Sequence, residues 1–269
     1  MQADRLYMTP TIQSEGTMKR VDYDERQHSV YAKGRALGPA AMARWLAAFE
    51  AEAPDRRPLT VLDLGSGTGR FSPALAETFG GSVHGVEPSE RMRSIATAEA
   101  AHPSVGYLAG EAAAIPLPAG SVDLVLMFLS FHHVPDRAAA AREIARVLKP
   151  DGRVFVRGTF AGRIHDLWWR RFFPRSWEIE ERMFPSVEET SAVFADAGLG
   201  WAKLVQVVHP YEGDVAADVK RLRLRAISTF DHMDEAEIEA GFAQMEAALE
   251  ASDIPPPAPA VLDLLVLSR

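Results

Sequence analysis

The sequence predicts an α/β protein with a doubly wound, open and mostly parallel sheet. Two observations favour this fold. Short apolar runs alternate with segments of helical patterning between residues 39 and 156. The first run, Val61–Leu64, is apolar enough to be buried on both faces, as a parallel sheet covered by helices requires. Ligands of such sheets bind at the carboxyl ends of the strands, so functional residues are expected there.

A glycine-rich turn follows the first strand directly. Gly65, Gly67 and Gly69 allow positive φ angles and a close approach of backbone to ligand. The predicted helix over residues 70–79 would begin at that ligand, with free N–H groups and the positive end of its dipole. Asp63, at the end of the strand, is placed to meet a cationic amine. The segment therefore favours a nucleotide-like ligand that carries an ammonium group.

The spacing of these glycines separates two classes of protein. A dinucleotide-binding turn has the pattern G-x-G-x-x-G, which would need glycine at position 70, where this chain has Arg70. This argues against an NAD-linked oxidoreductase. An ordinary strand-to-helix turn in another α/β fold remains an alternative for this segment alone.

A second apolar run, residues 82–86, ends in Glu87-Pro88-Ser89. An acidic residue at the tip of the second strand is placed to accept hydrogen bonds from a ribose diol. Met92, in the helix that follows, could pack on an adenine ring. The alternative is a surface glutamate that stabilises a helix N-terminus.

Further motifs follow in the expected order. Residues 110–118 read G-E-A-A-A-I-P-L-P, and residues 122–128 form a fourth apolar run. An amphipathic helix over 138–148 ends at Pro150 and Gly152, and residues 154–156 form a fifth strand.

Taken together, V-L-D-L-G-S-G-T-G, E-P-S, G-E-A-A-A-I-P-L-P and R-V-L-K-P-D-G-R-V-F-V resemble the class I S-adenosylmethionine (SAM) dependent methyltransferases. The similarity is to the type 11 group, which includes ubiquinone- and menaquinone-biosynthesis enzymes, and it covers roughly residues 20 to 160. It implies a Rossmann-like seven-stranded sheet with a helical cap over its carboxyl edge. It also implies SAM as cofactor, S-adenosylhomocysteine as product and a small-molecule acceptor.

The resemblance assigns the cofactor-binding residues. Glu111 would meet the adenine amino group, although the family more often has aspartate there. An N-terminal segment would fold over the methionine end of SAM, with Arg35 pairing with its carboxylate; Tyr23 is a further candidate there. A solvated amphipathic helix is the alternative for that segment. The full implied set is Asp63, Gly65, Ser66, Gly67, Thr68, Gly69, Glu87, Pro88, Met92, Gly110, Glu111, Ala112, Phe128, Arg35 and Tyr31.

His132 and His133 are the candidates for catalysis. They follow the fourth strand, at the edge where ligands bind, and histidine is suited to proton removal near neutral pH. A base is needed only if the acceptor must lose a proton. A structural role at a helix entry is the alternative, and His165 and His209 are further candidates.

We expect the following organisation. Residues 1–20 are disordered or loosely packed, residues 21–160 form the SAM-binding core with an N-terminal lid helix, and residues 161–185 form a cap insertion. Residues 186–269 complete the same domain and carry a helical insertion over 213–254. That last part is expected to contain a helix capped by Ser186 and Glu189, two helices over 215–230 and 234–251, and a final antiparallel strand pair over 204–208 and 261–267.

The predicted cap insertion is rich in aromatic residues. They favour an apolar or aromatic acceptor if they wall its pocket, whereas packing on the sheet is the alternative. The residues concerned are Trp168, Trp169, Phe172 and Phe173.

Composition excludes several functions. A net charge of −8 argues against a nucleic-acid substrate, whose phosphates require a basic surface. The absence of cysteine excludes thiolate metal sites, and no metal is predicted. No apolar run approaches the roughly 18 residues of a membrane span, so a cytoplasmic protein is expected. A protein of this fold that binds SAM but catalyses another reaction, or acts as a non-catalytic partner, is the alternative function.

Overall fold

The computed structural model describes residues 37–269. Its centre is a seven-stranded sheet with the order β3-β2-β1-β4-β5-β7-β6. The strands are β1 (Leu59–Leu64), β2 (Gly80–Glu87), β3 (Val105–Ala109), β4 (Val122–Phe128), β5 (Leu148–Arg157), β6 (Trp201–His209) and β7 (Ala260–Ser268). Strands β1 to β5 are parallel, and β7 runs antiparallel to both β5 and β6. The predicted doubly wound seven-stranded sheet and the final antiparallel pair are confirmed.

Helices cover both faces of the sheet. The helices are α1 (Pro39–Glu52), α2 (Ser72–Phe79), α3 (Glu90–Glu99), α4 (Arg137–Val147), α5 (Arg175–Met183), α6 (Val187–Asp196), α7 (Val215–Leu222) and α8 (Glu235–Glu250). One face packs against α4 and α6, and the other packs against α1 and α2. Because β1 and β4 are buried on both faces, their ends are fixed at the centre of the molecule.

Two helix predictions need correction. The helix after the glycine turn begins at Ser72 and not at residue 70, because Pro73 occupies its first turn, where a missing N–H costs little. The predicted helix over 215–230 is broken: α7 ends at Leu222, and a 3₁₀ helix follows at Ser228–His232. Between them Arg225 has a φ of 55°, which no α-helix allows.

The Ser186 capping box is confirmed. The Ser186 hydroxyl accepts a 3.0 Å hydrogen bond from the Glu189 N–H, and the Glu189 carboxylate accepts a 2.8 Å hydrogen bond from the Ser186 N–H. These bonds satisfy backbone donors at the start of α6, which packs on the sheet.

Two connections form a cap at the carboxyl edge of the sheet. Residues 158–186 leave from the end of β5, and residues 210–259 leave from the end of β6 and return at the start of β7. Since β5 and β6 are both antiparallel to β7, the ends of β5 and β6 and the start of β7 lie on the same edge of the sheet. The two connections pack on each other around a separate apolar core, formed by Trp169, Phe173, Val219, Phe230, Met233, Ile238, Phe242 and Met245.

A buried hydrogen-bond network around an ion pair also joins the two connections. Arg170 donates a 2.5 Å hydrogen bond to Glu180 and a 3.2 Å bond to the Ser176 hydroxyl. The other oxygen of Glu180 accepts a 2.7 Å bond from Thr229. Because Arg170 and Glu180 are both nearly inaccessible to solvent, this network fixes how the cap segments meet.

Candidate functional site

The glycine turn is held against the end of the neighbouring strand. The N–H groups of Gly65 and Ser66 both donate to the carbonyl of Val86, at 2.8 and 3.3 Å. Gly65, Gly67 and Gly69 have φ angles of 74°, 56° and 77°, a region that other residues rarely adopt. The turn therefore presents its backbone at the carboxyl edge in a conformation that requires glycine.

Packing adds a second reason for glycine at two of these positions. A Cβ on Gly65 would lie 2.6 Å from the Cβ of Ser130, and one on Gly69 would lie 2.3 Å from the hydroxyl of Tyr107. The Ser130 hydroxyl also donates a 2.8 Å hydrogen bond to the carbonyl of Leu64. The turn is thus fixed by β1, β2 and the segment after β4.

Asp63 lies beneath this turn and is only 4% exposed. Its carboxylate accepts a 2.7 Å hydrogen bond from Ser72. Burial raises the pKa of Asp63 to about 6, and the nearby Glu87 carboxylate acts in the same direction, whereas Ser72 and Arg70 oppose it. A cation bound beside Asp63 would stabilise its ionised form.

Glu87 ends β2 and is 8% exposed. Its two carboxylate oxygens accept hydrogen bonds from the N–H groups of Gly67, at 3.1 Å, and Ser89, at 3.0 Å. Ser89 in turn accepts from the Met92 N–H and caps α3. The carboxylate is therefore fixed between the glycine turn and α3.

These features fit SAM. Two buried carboxylates flank a positive-φ turn, and the Ser66 hydroxyl is buried with no hydrogen-bond partner among residues 37–269. SAM carries an ammonium and a sulfonium, two positive charges that suit an acidic cleft, together with polar groups that can complement an unpaired hydroxyl. Thr68 lies in the same turn and is half-buried.

The remaining residues assigned to the adenosine follow β2 and β3, the two strands at this end of the sheet. Met92 is buried at 2% exposure, whereas Pro88 is exposed. Gly110 and Ala112 are half-buried and Glu111 is exposed. Because β3 lies beside β2, these residues follow the strand next to Glu87.

Phe128 ends β4 and lies in an aromatic cluster on the α1 face. Its ring centroid is 4.3 Å from that of Phe71 and 5.1 Å from that of Trp45. The Arg157 guanidinium lies over the rings of Trp45 and Phe128, at 5.5 and 5.4 Å. Arg157 ends β5 and is 8% exposed, so a buried cation lies next to the end of β4.

His132 and His133 lie in a 3₁₀ turn after β4 and are both half-buried. Their ring centroids are 3.9 Å apart, and His132 contacts the Phe184 ring edge-on at 4.8 Å. Because Phe184 directly follows α5, His132 packs against the cap. His133 follows it at the carboxyl edge.

His165 and His209 lie nearer to Arg157. Burial lowers the pKa of both imidazoles, and the Arg157 charge lowers it further, to about 4 for His165. The Nδ1 atom of His209 accepts a long hydrogen bond of 3.4 Å from Trp45. Both imidazoles are neutral at neutral pH.

The predictions about aromatic and N-terminal residues are resolved only in part. Trp169 and Phe173 contribute to the separate core of the cap, and Trp168 and Phe172 pack against it, so these residues do not form a layer on the sheet. Their contact with the acceptor stays a prediction. Tyr23, Tyr31 and Arg35 lie outside the described residues.

Sequence reasoning missed Ser72, Ser130 and Arg157. Arg157 had a usable signal, because a charged residue that ends an apolar strand at the carboxyl edge is unusual. The two serines had none, since their partners lie 9 and 66 residues away in the chain.

Comparisons with known proteins agree with this geometry. Residues 62–156 match the model of a methyltransferase domain family, type 11. The chain is 33% identical over 180 residues to a demethylmenaquinone methyltransferase of Bacillus licheniformis, covering 59% of this chain and 76% of that protein. It is 36% identical over 138 residues to the enzyme of the same name from Lactococcus lactis, covering 49% of this chain and 52% of that protein. The chain thus spans about half the length of the second relative.

A solved structure has the same fold. It is a putative methyltransferase from an antibiotic biosynthesis pathway of Anabaena variabilis, with a TM-score of 0.69 and 23% identity. The superposition covers 84% of this chain and 97% of that one.

The fold and the site define a SAM-dependent methyltransferase that acts on a small molecule, as predicted. The chain belongs to the class I methyltransferases, in the type 11 group that resembles the ubiquinone- and menaquinone-biosynthesis enzymes. Within residues 37–269, no helix combines the length and the apolar character needed to cross a bilayer. The same residues contain no group of side chains arranged to hold a metal ion.

Proposed function

We propose that this methyltransferase acts on a small aromatic or otherwise apolar acceptor. The observation that carries this proposal is the partly exposed ring of Phe128, which ends β4 at the carboxyl edge and packs against the buried ring of Trp45. The two relatives named for demethylmenaquinone, a quinone, support the same class. Aromatic walls favour such acceptors because they bury apolar surface and stack on rings.

We assign SAM to the cleft around the glycine turn. Asp63 binds the ammonium group, Glu87 binds the ribose hydroxyls, and the N–H groups of the turn contact the cofactor. Arg35 pairs with the carboxylate. The other proposed contacts are Tyr31, Ser66, Thr68, Pro88, Met92, Gly110, Glu111, Ala112 and Phe128.

The chain contributes position, desolvation and, where needed, a proton acceptor. Bound SAM supplies an activated methyl group. The aromatic cluster orients the acceptor and excludes water, which carries most of the catalysis for a pre-activated group. His133, with His132 beside it, takes the proton of an acceptor hydroxyl. This role follows from their position at the carboxyl edge.

The domain boundaries belong to the same proposal. Residues 21–160 bind SAM with an N-terminal lid, residues 161–185 and 213–254 cover the acceptor, and residues 186–269 complete the sheet. The starting points of the two connections at the carboxyl edge support this division.

An acceptor screen tests the proposal. The purified protein is incubated with SAM and a matched panel of aromatic hydroxy compounds, quinols and polar amines, and S-adenosylhomocysteine is measured by mass spectrometry. We expect turnover with the aromatic compounds and none with Gly67→Arg. Turnover confined to the polar amines would contradict the acceptor class. SAM binding without turnover on any acceptor would favour another reaction on this fold.

A further inference from the structure

A second group of polar side chains lies at the carboxyl edge, apart from the glycine turn. Arg157 is the last residue of β5 and His209 the last residue of β6. His165 lies in the connection that follows β5. Because β5 and β6 run in the same direction on either side of β7, the first two residues end at the same edge.

His165 has an unusual environment. Its Nε2 atom is inaccessible to solvent and has no hydrogen-bond partner within the described part of the chain. Buried polar atoms are nearly always paired, so an unpaired one requires an explanation, and a bound molecule is one such explanation. A neutral imidazole has one donor and one acceptor nitrogen. A hydroxyl group can complement Nε2 in either tautomer, because it donates and accepts.

The charges around His165 are mostly positive. Four nearby charges shift the pKa of His165: in decreasing order of strength, they belong to Arg157, Asp263, Arg170 and Arg163. The three arginines lower this pKa and Asp263 raises it. Arg163 pairs with Asp263 through two hydrogen bonds of 2.8 and 3.0 Å, and Arg170 pairs with Glu180. The guanidinium of Arg157 lowers the pKa of both neighbouring imidazoles, which indicates a positive potential at this point. Such a potential favours an acidic hydroxyl over an ether or an amine.

The backbone of His165 is held rigidly. Its carbonyl accepts a 2.8 Å hydrogen bond from Arg170 Nε and a 3.0 Å bond from the Leu167 N–H. Arg170 is fixed in turn by the buried network with Glu180. The imidazole is therefore presented from a preorganised support.

The acceptor side of the cofactor site lies close by. Arg157 contacts the ring of Phe128, which contacts Phe71 immediately after the glycine turn. A continuous series of contacts thus leads from the turn to the group around His165.

We propose that His165 binds the methyl acceptor through Nε2, and that this position selects an acceptor with an acidic aromatic hydroxyl. The inference rests on the proposed aromatic acceptor and adds the residue and the functional group that recognise it. His165 is a specificity residue here, and Arg157 strengthens the preference for the hydroxyl.

A pair of probes that differ in one group tests this inference. Protein saturated with S-adenosylhomocysteine is titrated calorimetrically with 1-naphthol and with 1-methoxynaphthalene. We expect wild type to bind 1-naphthol about 10-fold more tightly, the size of one good hydrogen bond. His165→Phe should bring the ratio close to one, and His165→Gln should retain part of it. His102→Phe, in the turn before β3, is the matched control and should keep the wild-type ratio.

The outcomes separate the two proposals. Equal binding of both probes by wild type, or an unchanged ratio in both His165→Phe and His165→Gln, would overturn the role of His165 and leave the aromatic acceptor standing. Failure of wild type to bind either probe while it binds S-adenosylhomocysteine would contradict the aromatic acceptor itself, and this inference with it.

Discussion

The Ser72 hydroxyl donates a 2.7 Å hydrogen bond to the Asp63 carboxylate, which joins the first residue of α2 to the end of β1. This bond favours the ionised carboxylate, yet burial outweighs it and raises the pKa of Asp63 to about 6. The protonation of Asp63 in the free protein therefore changes just below neutral pH. A bound cation shifts that equilibrium towards the carboxylate.

SAM affinity should depend on pH through this residue. Above pH 7 Asp63 is ionised and attracts the ammonium group, and below pH 6 binding must first remove a proton. We expect the dissociation constant to be lowest near pH 7 and to rise below pH 6, by at most about 10-fold per pH unit. Titration calorimetry between pH 5 and 8 measures this. Asp63→Asn should bind weakly with no such dependence, and an equally pH-dependent variant would assign the effect to another group.

The same residue should lower the stability of the free protein at neutral pH. Its folded pKa of about 6 lies above the unfolded value of 3.8, so the stabilisation is present below pH 4 and is lost as the pH rises through 6. At pH 8, Asp63→Asn should raise the free energy of unfolding by up to about 3 kcal/mol, the equivalent of that shift. Urea unfolding at pH 8 checks this prediction.

Asp123 is the matched control for Asp63. Burial alone would raise its pKa, but hydrogen bonds from Lys149, Arg56 and the Thr60 N–H lower it. Asp123→Asn should therefore destabilise the protein at pH 8. Destabilisation by both substitutions would contradict the distinction between these two buried carboxylates.

Glu87→Gln tests the ribose contact. The substitution keeps the shape of the side chain but removes its charge, and it places an amide NH2 group against one of the two backbone N–H donors, so SAM should bind about 10- to 100-fold more weakly. Glu90→Gln, on the exposed first turn of α3, removes the same charge nearby and should have little effect. Equal losses of SAM affinity in the two variants would show that the negative charge of this region, and not a contact between Glu87 and the ribose, stabilises bound SAM.

The cap should depend on both members of its buried ion pair. Glu180→Ala leaves Arg170 charged and unpaired, which costs about 3 to 5 kcal/mol. Replacing both residues by methionine should recover much of that loss. Hydrogen exchange of α5 and α8 measures the effect on the cap itself. A double variant as unstable as Glu180→Ala would show that packing, and not the unpaired charge, causes the loss.

His133 should affect turnover more than binding. His133→Gln keeps a hydrogen-bonding side chain but no titratable base, so kcat on a hydroxyl acceptor should fall by about 100-fold, with the dissociation constant of SAM unchanged. His132→Gln, which loses the contact with Phe184, is the comparison. Unchanged kcat in both variants would remove these residues from the chemistry.

The core of the fold could be predicted because its information is local. Strand β1 is a run of buried residues, and the turn that follows it contains glycines at positions whose positive φ angles other residues rarely adopt. Ser186 and Glu189 form their helix cap within one helical turn. Such patterns do not depend on distant partners.

The cap was less predictable because distant contacts determine it. No glycine or proline marks the end of α7, but Arg223 and Arg225 form ion pairs with Glu239 and its neighbours on α8, and Thr229 bonds to Glu180. The same limit applies to the site. His165 was a further candidate in the sequence, but its buried Nε2 atom and the nearby Arg157 charge are seen only in the folded chain.

Calorimetric titration with SAM and S-adenosylhomocysteine tests the central claim most directly, with NAD as control and Gly67→Arg as the matched variant. Gly67 has a φ of 56°, so the arginine would strain and fill the turn. We expect micromolar binding of both SAM and S-adenosylhomocysteine by wild type, no binding of NAD and loss of binding in the variant. Well-folded wild-type protein that binds neither SAM nor S-adenosylhomocysteine would contradict it.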